Sequence, residues 1–250
     1  MSGSEFIGGR QPVLEILKAG QRALHKIWIL EGTGGEMIQD IQQLARAKGV
    51  PVEWAKREQL DKRTQGHHQG VVAQASAVSF SDLSALLKKI GPTQPALVVA
   101  LDEIQDPHNV GAILRSAGFF GVTAALVLKW RSAPVGETAA RVSSGAIEHV
   151  PLIKITNLAQ SILDLQEAGF EVIGADMAGE PLADYIPGKR CAIVFGSEGS
   201  GLRRLVRERC DKLLAIPGVG KVDSLNVAAT AAIFIYEFCR RSSIGRAPVL

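Results

Sequence analysis

ALVVALDEIQDPHNVGAILRSAGFFG, residues 96–121, decides how this chain is read. An unbroken apolar run, 96–101, ends in a polar loop, and apolar residues then resume at Val110 with helical spacing. A strand that is apolar on both faces is covered on both faces, and a helix directly after it supplies one cover. The same beat continues toward the C-terminus. AALVLKW, VPLIKI, EVIGADM, RCAIVFG and DKLLAIP read as strands, and 137–144, 158–168, 202–210 and 227–240 as the helices among them. The expectation is an α/β fold on a mostly parallel sheet over residues 96–240.

Upstream, residues 5–76 read as a smaller α/β unit. Val13, Leu14, Ile16 and Leu17 mark a helix, HKIWIL a strand, and 37–48 a second helix, with VPVEWA and GVVAQAS as further strands. Residues 77–95 hold a short helix in SFSDLSALLKK and then GPTQP, and are expected to be a linker. The last stretch, 241–250, has no periodicity and is expected to be a disordered tail.

Composition sets outer bounds. The chain has 250 residues, 28 Lys+Arg against 25 Asp+Glu, and a net charge of +3, which permits an RNA partner without demanding one. The densest basic stretch, RRLVRER at 203–209, reads as a solvated helix face. No apolar run reaches the roughly 18 residues of a membrane span, and the start MSGSEFIGGRQPV lacks the pattern of an export signal. Cys191, Cys210 and Cys239 are too few and scattered for a disulfide framework or a zinc site, and read as buried fillers. The expectation is a cytoplasmic protein without a metal.

Ligands of open parallel sheets bind beyond the carboxyl ends of the strands. Three polar loops fall there: DEIQDPHN (102–109), GSEGSG (196–201) and PGVGKVDSLN (217–226). Asn109 opens a helix, with Arg115 six residues on and on another side of it. Glu198 is bracketed by Gly196, Gly199 and Gly201. Gly218 and Gly220 strip side chains from the approach to Ser224 and Asn226, at the mouth of an apolar helix. Each has an ordinary structural account as well: a capped helix start, a flexible turn, a surface arginine. LEGTGGE (30–36), with Glu53 ending the next strand, imitates a nucleotide-binding turn, but its G-x-G-G spacing and the few strands around it favour a plain turn.

With N-x-x-x-x-x-R, G-x-E-x-x-G and S-L-N-V in this order over residues 96–240, the chain resembles the SpoU (TrmH-like) branch of the SPOUT RNA ribose 2′-O-methyltransferases. Within it, the likeness is nearest to members that methylate a guanosine of large-subunit rRNA and carry an N-terminal RNA-binding domain similar to ribosomal protein L30e. Residues 5–76 fit that domain in size and pattern, with HHQGVVA (67–73) near its close. The resemblance implies a C-terminal trefoil knot, a homodimer, RNA and not DNA as partner, and S-adenosylmethionine held between loops 196–201 and 216–226. Cofactor contacts would come from Val194, Gly196, Gly201, Ile216, Gly218 and Leu225. Arg115, Asn109, Glu198, Ser224 and Asn226 would form the catalytic set. The resemblance implies Arg115 as the base; a guanidinium stays protonated in ordinary surroundings, so Arg115 is read chiefly as a clamp on phosphate and developing alkoxide, oriented by the others, with base or clamp left open. His108 is an alternative base, His67 and His68 are RNA contacts or surface residues, and Glu148 helps to fix the pocket. A non-catalytic RNA-binding factor, a tRNA 2′-O-methyltransferase and a nucleotide-binding enzyme built on 30–53 stay open as rival readings.

Overall fold

The computed structural model describes residues 4–64 and 67–241, which divide into two compact units. The tail expected at 241–250 lies outside the described residues, except for Arg241. That residue ends the last helix and bonds to Glu237 and to the Tyr185 carbonyl.

The larger unit comprises residues 80–133 and 150–250. Its sheet contains β5 (Ala96–Asp102), β6 (Ala124–Leu128), β7 (Leu152–Ile155), β8 (Glu171–Pro181), β9 (Arg190–Gly196) and β10 (Lys212–Ala215). The order is β10-β8-β9-β5-β6-β7, and every pairing is parallel. Val98, Ala100, Ala192 and Val194 are fully buried in its core. The covering helices are α4 (Leu83–Ile90), α5 (Pro107–Phe119), α7 (Leu158–Glu167), α8 (Arg204–Arg209) and α9 (Val227–Arg241). The chain starts at β5, moves outward to β6 and β7, and returns so that β9 lies directly beside β5. A crevice opens at the carboxyl ends where the strand order reverses.

Residues 80–90 are not a linker. Leu83, Leu86 and Ile90 are buried in the core with β5 and β7, and Ser81 bridges Ile153. Lys129 and Trp130, expected to finish a strand, turn out of the sheet after Leu128.

The smaller unit joins residues 1–79 to a segment taken from far along the chain, 134–149. Its sheet runs β1-β4-β2-β3, from β1 (Ser4–Gly8), β2 (Leu24–Leu30), β3 (Val52–Ala55) and β4 (Val71–Ser76). Helices α1 (Arg10–Ala19) and α2 (Glu36–Ala47) bury Val13, Leu17, Ile38 and Ile41 against it, and the short α3 (Arg57–Asp61) adds Leu60. The inserted segment carries α6 (Glu137–Val142) and a 3-10 turn over Ala146–Glu148. Arg22 fastens it: the guanidinium donates to Glu148 (3.1 Å), Glu5 (2.9 Å) and the Ser76 carbonyl (2.7 Å). Glu148 therefore belongs to this buried network and not to the pocket expected for it. Burial raises its carboxyl above the usual range, with Arg22 pulling the other way. His68 is also structural, buried between Asp61 and the Gly70 N–H.

The three cysteines are free; burial pushes Cys191 and Cys210 up to about 12 and Cys239 to about 11. Such thiols stay protonated and inert.

Candidate active site

Three segments meet at the crevice beyond β5 and β9. Asp106 caps α5, accepting from the His108 N–H at 2.8 Å, and Pro107 occupies the first turn, where its missing N–H costs nothing. Asn109 is thus not the cap. It is the third residue of the helix, 7% exposed, and lines the crevice. The cap of α9 is Asn226, whose Oδ1 accepts from the Ala228 N–H at 2.8 Å. This leaves the Asn226 amide nitrogen free to point outward.

The two asparagines close on Glu198. Its Oε1 accepts from Asn109 Nδ2 at 3.0 Å and from Asn226 Nδ2 at 2.6 Å, and Asn226 Nδ2 also reaches Asn109 Oδ1 at 2.9 Å. Two neutral amides thereby fix one carboxylate oxygen, and Oε2 takes no hydrogen bond from any described residue. A carboxylate held this way can accept a hydrogen bond from a hydroxyl placed before it.

The loop bearing Glu198 is built by its own backbone. Ser197 and Gly201 exchange N–H···O bonds of 3.1 and 3.0 Å, closing the turn. Gly199 and Gly201 have φ of 89° and 65°, and a Cβ at Gly196 would lie 2.2 Å from the Gly201 backbone. These glycines are demanded by the turn itself. By contrast, a Cβ at Gly218 or Gly220 would meet nothing within 4 Å, so the protein's own packing does not require glycine there. Around them Val219, Val222 and Leu225 are exposed, and Ile216 is half-buried. Bare backbone with uncovered apolar side chains suits a flat, partly apolar ligand.

Glu103, Asp106 and Glu198 join Ile104, Gln105, Asn109, Ser197 and Ser200 around a cleft of about 310 Å³. Three carboxylates and no lysine or arginine line it. Glu103 is paired with Arg203 and Arg131, which leaves Asp106 and Glu198 to make the cleft favour hydroxyls and positive charge over phosphate.

The sequence-derived residues separate into two groups. Asn109, Glu198 and Asn226 come together. Arg115 does not join them: it is exposed and makes no hydrogen bond or ion pair among the described residues, and six residues along a helix place it about 240° around from Asn109. Ser224 is exposed in the loop and bonds to none of the three. Val194 lies with its side chain fully buried in the sheet. His108 is exposed beside the cleft.

Arg203 has partners that sequence reasoning missed. Its Nε donates to Asp102 Oδ1 (2.7 Å), its backbone N–H to Asp102 Oδ2 (2.9 Å), and its Nη1 lies 3.2 Å from Glu103. It ties the end of β5 to the loop after β9. Its neighbours Arg204, Arg207 and Arg209 bond to Glu208, Asp176 and the Ala159 carbonyl. Arg203, Arg204 and Arg207 stay exposed, so the run is a solvated face as expected, with Arg203 and Arg207 also tied to carboxylates elsewhere in the unit. In the sequence Asp102 is only an acidic residue ending an apolar strand, and its complete burial and its partner appear in the structure alone.

A model of the SpoU rRNA methylase family matches residues 96–236, and one for RNA 2′-O ribose methyltransferase substrate binding matches residues 6–81. The chain belongs to the SpoU rRNA methylase family. It is 40% identical over 243 residues to a Coxiella burnetii protein named 23S rRNA (guanosine-2′-O-)-methyltransferase RlmB, covering 96% of this chain and 97% of that one. It is 38% identical over 240 residues to YacO of Bacillus subtilis, assigned by its name to the TrmH family of tRNA/rRNA methyltransferases, covering 95% and 96%. Among solved structures, the SpoU methyltransferase AviRb from Streptomyces viridochromogenes, in complex with AdoMet, has a TM-score of 0.77 at 22% identity, over 95% of this chain and 90% of that one. For this SpoU family member that likeness establishes the fold. No helix among the described residues is long and apolar enough to cross a membrane, and none of their His, Cys, Asp and Glu side chains group as metal ligands.

Proposed function

We propose that this chain transfers a methyl group from S-adenosylmethionine to a ribose 2′-OH of RNA, with a guanosine of large-subunit rRNA as the target. The observation that carries the reading is the closure of Asn109, Glu198 and Asn226 on one another at the crevice beyond β5 and β9. Family membership, the 23S rRNA guanosine activity in the Coxiella burnetii relative's name, and the substrate-binding match over 6–81 support it further.

S-adenosylmethionine, when bound, supplies an electrophilic methyl group on a sulfonium. The chain's part is to hold and orient. The 216–226 loop offers open backbone at Gly218 and Gly220 and uncovered apolar side chains at Ile216 and Leu225 for the adenosyl portion, with Gly196 and Gly201 shaping the facing turn. The carboxylate lining favours a positively charged donor and disfavours a phosphate inside the cleft. Glu198 Oε2 accepts the hydrogen of the ribose hydroxyl, and Asn109 and Asn226 keep that carboxylate in register. Near-attack geometry is the main contribution such a site makes.

Arg115 and Phe119, four residues apart on α5, share a helix face. Phe119 is 82% exposed, and Ile233 and Tyr236 on the adjacent α9 are exposed as well. This uncovered apolar stripe supports a homodimer through α5 and α9. Arg115 would then stand at the junction of two copies and act across it as the clamp on phosphate and alkoxide, with Ser224 completing the site. A trefoil knot in the last third of the chain, as in the family, and a cytoplasmic location complete the proposal.

The test is incubation with methyl-tritiated S-adenosylmethionine and unmodified large-subunit rRNA, followed by mapping of the 2′-O-methyl position. Label at a single guanosine is the expected result. Label in tRNA alone would move the target, and cofactor binding without label in any RNA would favour a non-catalytic RNA-binding factor.

A further inference from the structure

Trp130 is 66% exposed in the turn that follows β6, at the same carboxyl-terminal edge of the sheet as the cleft. A lone exposed tryptophan is common enough; its surroundings set this one apart. Lys129 carries its ammonium 5.0 Å from the centre of the indole, and Arg131 has a side chain 76% exposed. The turn is fastened to the cleft wall. The Ala133 N–H donates to the Ile104 carbonyl at 2.9 Å, Ser132 Oγ to the same carbonyl at 3.4 Å, and Arg131 Nη1 lies 3.6 Å from Glu103. Arg131 and Glu103 are both held in the left-handed region, at φ 56° and 55°. That conformation is costly for residues with a side chain and persists where the surroundings enforce it.

Asp106 and Glu198 line the cleft, Glu103 in its wall is paired with Arg131 and Arg203, and the rim at Trp130 carries Lys129 and Arg131. A nucleoside can enter such a cleft while its phosphates are kept outside. An aromatic face flanked by cations, just outside, matches the chemistry of an unpaired base and its backbone.

We propose that Trp130 is a stacking platform for an unpaired RNA base neighbouring the nucleotide in the cleft, with Lys129 and Arg131 holding the flanking phosphates. This deepens the proposed methyl transfer and rests on it for the identity of the partner. Stacking displaces the Lys129 ammonium from the ring toward the backbone it then binds. The target nucleotide is thereby recognised in a loop or other unpaired stretch, since a base within a helix offers no free face.

The experiment uses the full chain, an unmodified large-subunit rRNA transcript and tritiated S-adenosylmethionine. Trp130→Ala raises the KM for RNA about tenfold, leaves kcat within about twofold and leaves the KM for the methyl donor unchanged, whereas Trp130→Phe retains most of the RNA affinity. Because Trp130 is exposed, both variants fold. In a chain carrying Trp28→Phe and Trp54→Phe, the remaining indole emission is quenched on adding the transcript. An unchanged KM for Trp130→Ala, or emission that RNA does not alter, overturns the assignment. If the unaltered chain transfers no label to RNA but the transcript still quenches Trp130, the platform stands and the methyl-transfer reading falls.

Discussion

Two hydrogen-bonded clusters of this molecule each join segments far apart in the chain, and they are built on opposite principles. Around Arg22, one guanidinium meets two carboxylates and a carbonyl, and the Arg22 and Glu148 side chains are only 2% and 3% exposed. Around Glu198, one carboxylate meets two neutral amides at the open edge of a cleft, with one oxygen to spare. A buried ion and its partner are locked together, because either one alone would be charged without water or counter-charge. An exposed carboxylate held by amides keeps its charge available to a ligand. The first arrangement secures the 134–149 segment to the small unit; the second is poised for chemistry.

Substitutions test that contrast. Arg22→Ala is expected to destabilise the protein by about 3–5 kcal/mol in urea unfolding, since it strands Glu148 in the interior. A cost as small as that of a surface change would erase the distinction. Glu198→Ala is expected to leave stability nearly untouched and to lower methyl transfer by about 10²–10³-fold, the scale on which positioned polar groups act. Equal losses of stability and activity would mean that the cluster is only architectural.

The glycine turns of the two units differ in the same way at the backbone level. Gly196→Ala drives a Cβ into the Gly201 backbone, so a loss of about 1–3 kcal/mol is expected, as for other overpacked sites. Gly34→Ala, in the glycine-rich turn of the small unit, meets no atom within 4 Å and is expected to change stability by less than about 0.5 kcal/mol. The imitation nucleotide turn at 30–36 is just a turn: Thr33 N–H bonds back to the Leu30 carbonyl, and Glu53 pairs with Lys26.

The smallest effect concerns pH. The hydrogen bond from Arg240 holds Glu237 below its ordinary 4.5, burial opposes it, and Arg241 adds to the lowering. A depressed carboxyl contributes stability above 4.5 that disappears as pH falls through its folded value. Glu148 has the opposite sign: its raised carboxyl favours the folded state more as pH falls from above that raised value toward 4.5. Thermal midpoints of Glu237→Gln and the unaltered chain are therefore expected to differ at neutral pH and to converge in acid.

Apolar patterning alone marks an α/β pattern in both halves of the chain, the parallel run of strands from residue 96, and the loops that carry Asn109, Glu198 and Asn226. Apolar periodicity and strand-ending glycines are local, so they survive in a linear reading. Which polar residues meet depends on how the chain folds back on itself. Asn109 bonds across 89 positions to Glu198 and is reached across 117 by Asn226, and only the placing of β9 beside β5 brings them together. The same limit hid the partnership of Arg203 with Asp102 and the transfer of residues 134–149 to the small unit, where Arg22 waits. It also let Trp130 pass as the end of a strand. A hydrogen bond depends on where two chain segments finally lie, and spacing along the sequence carries no record of that.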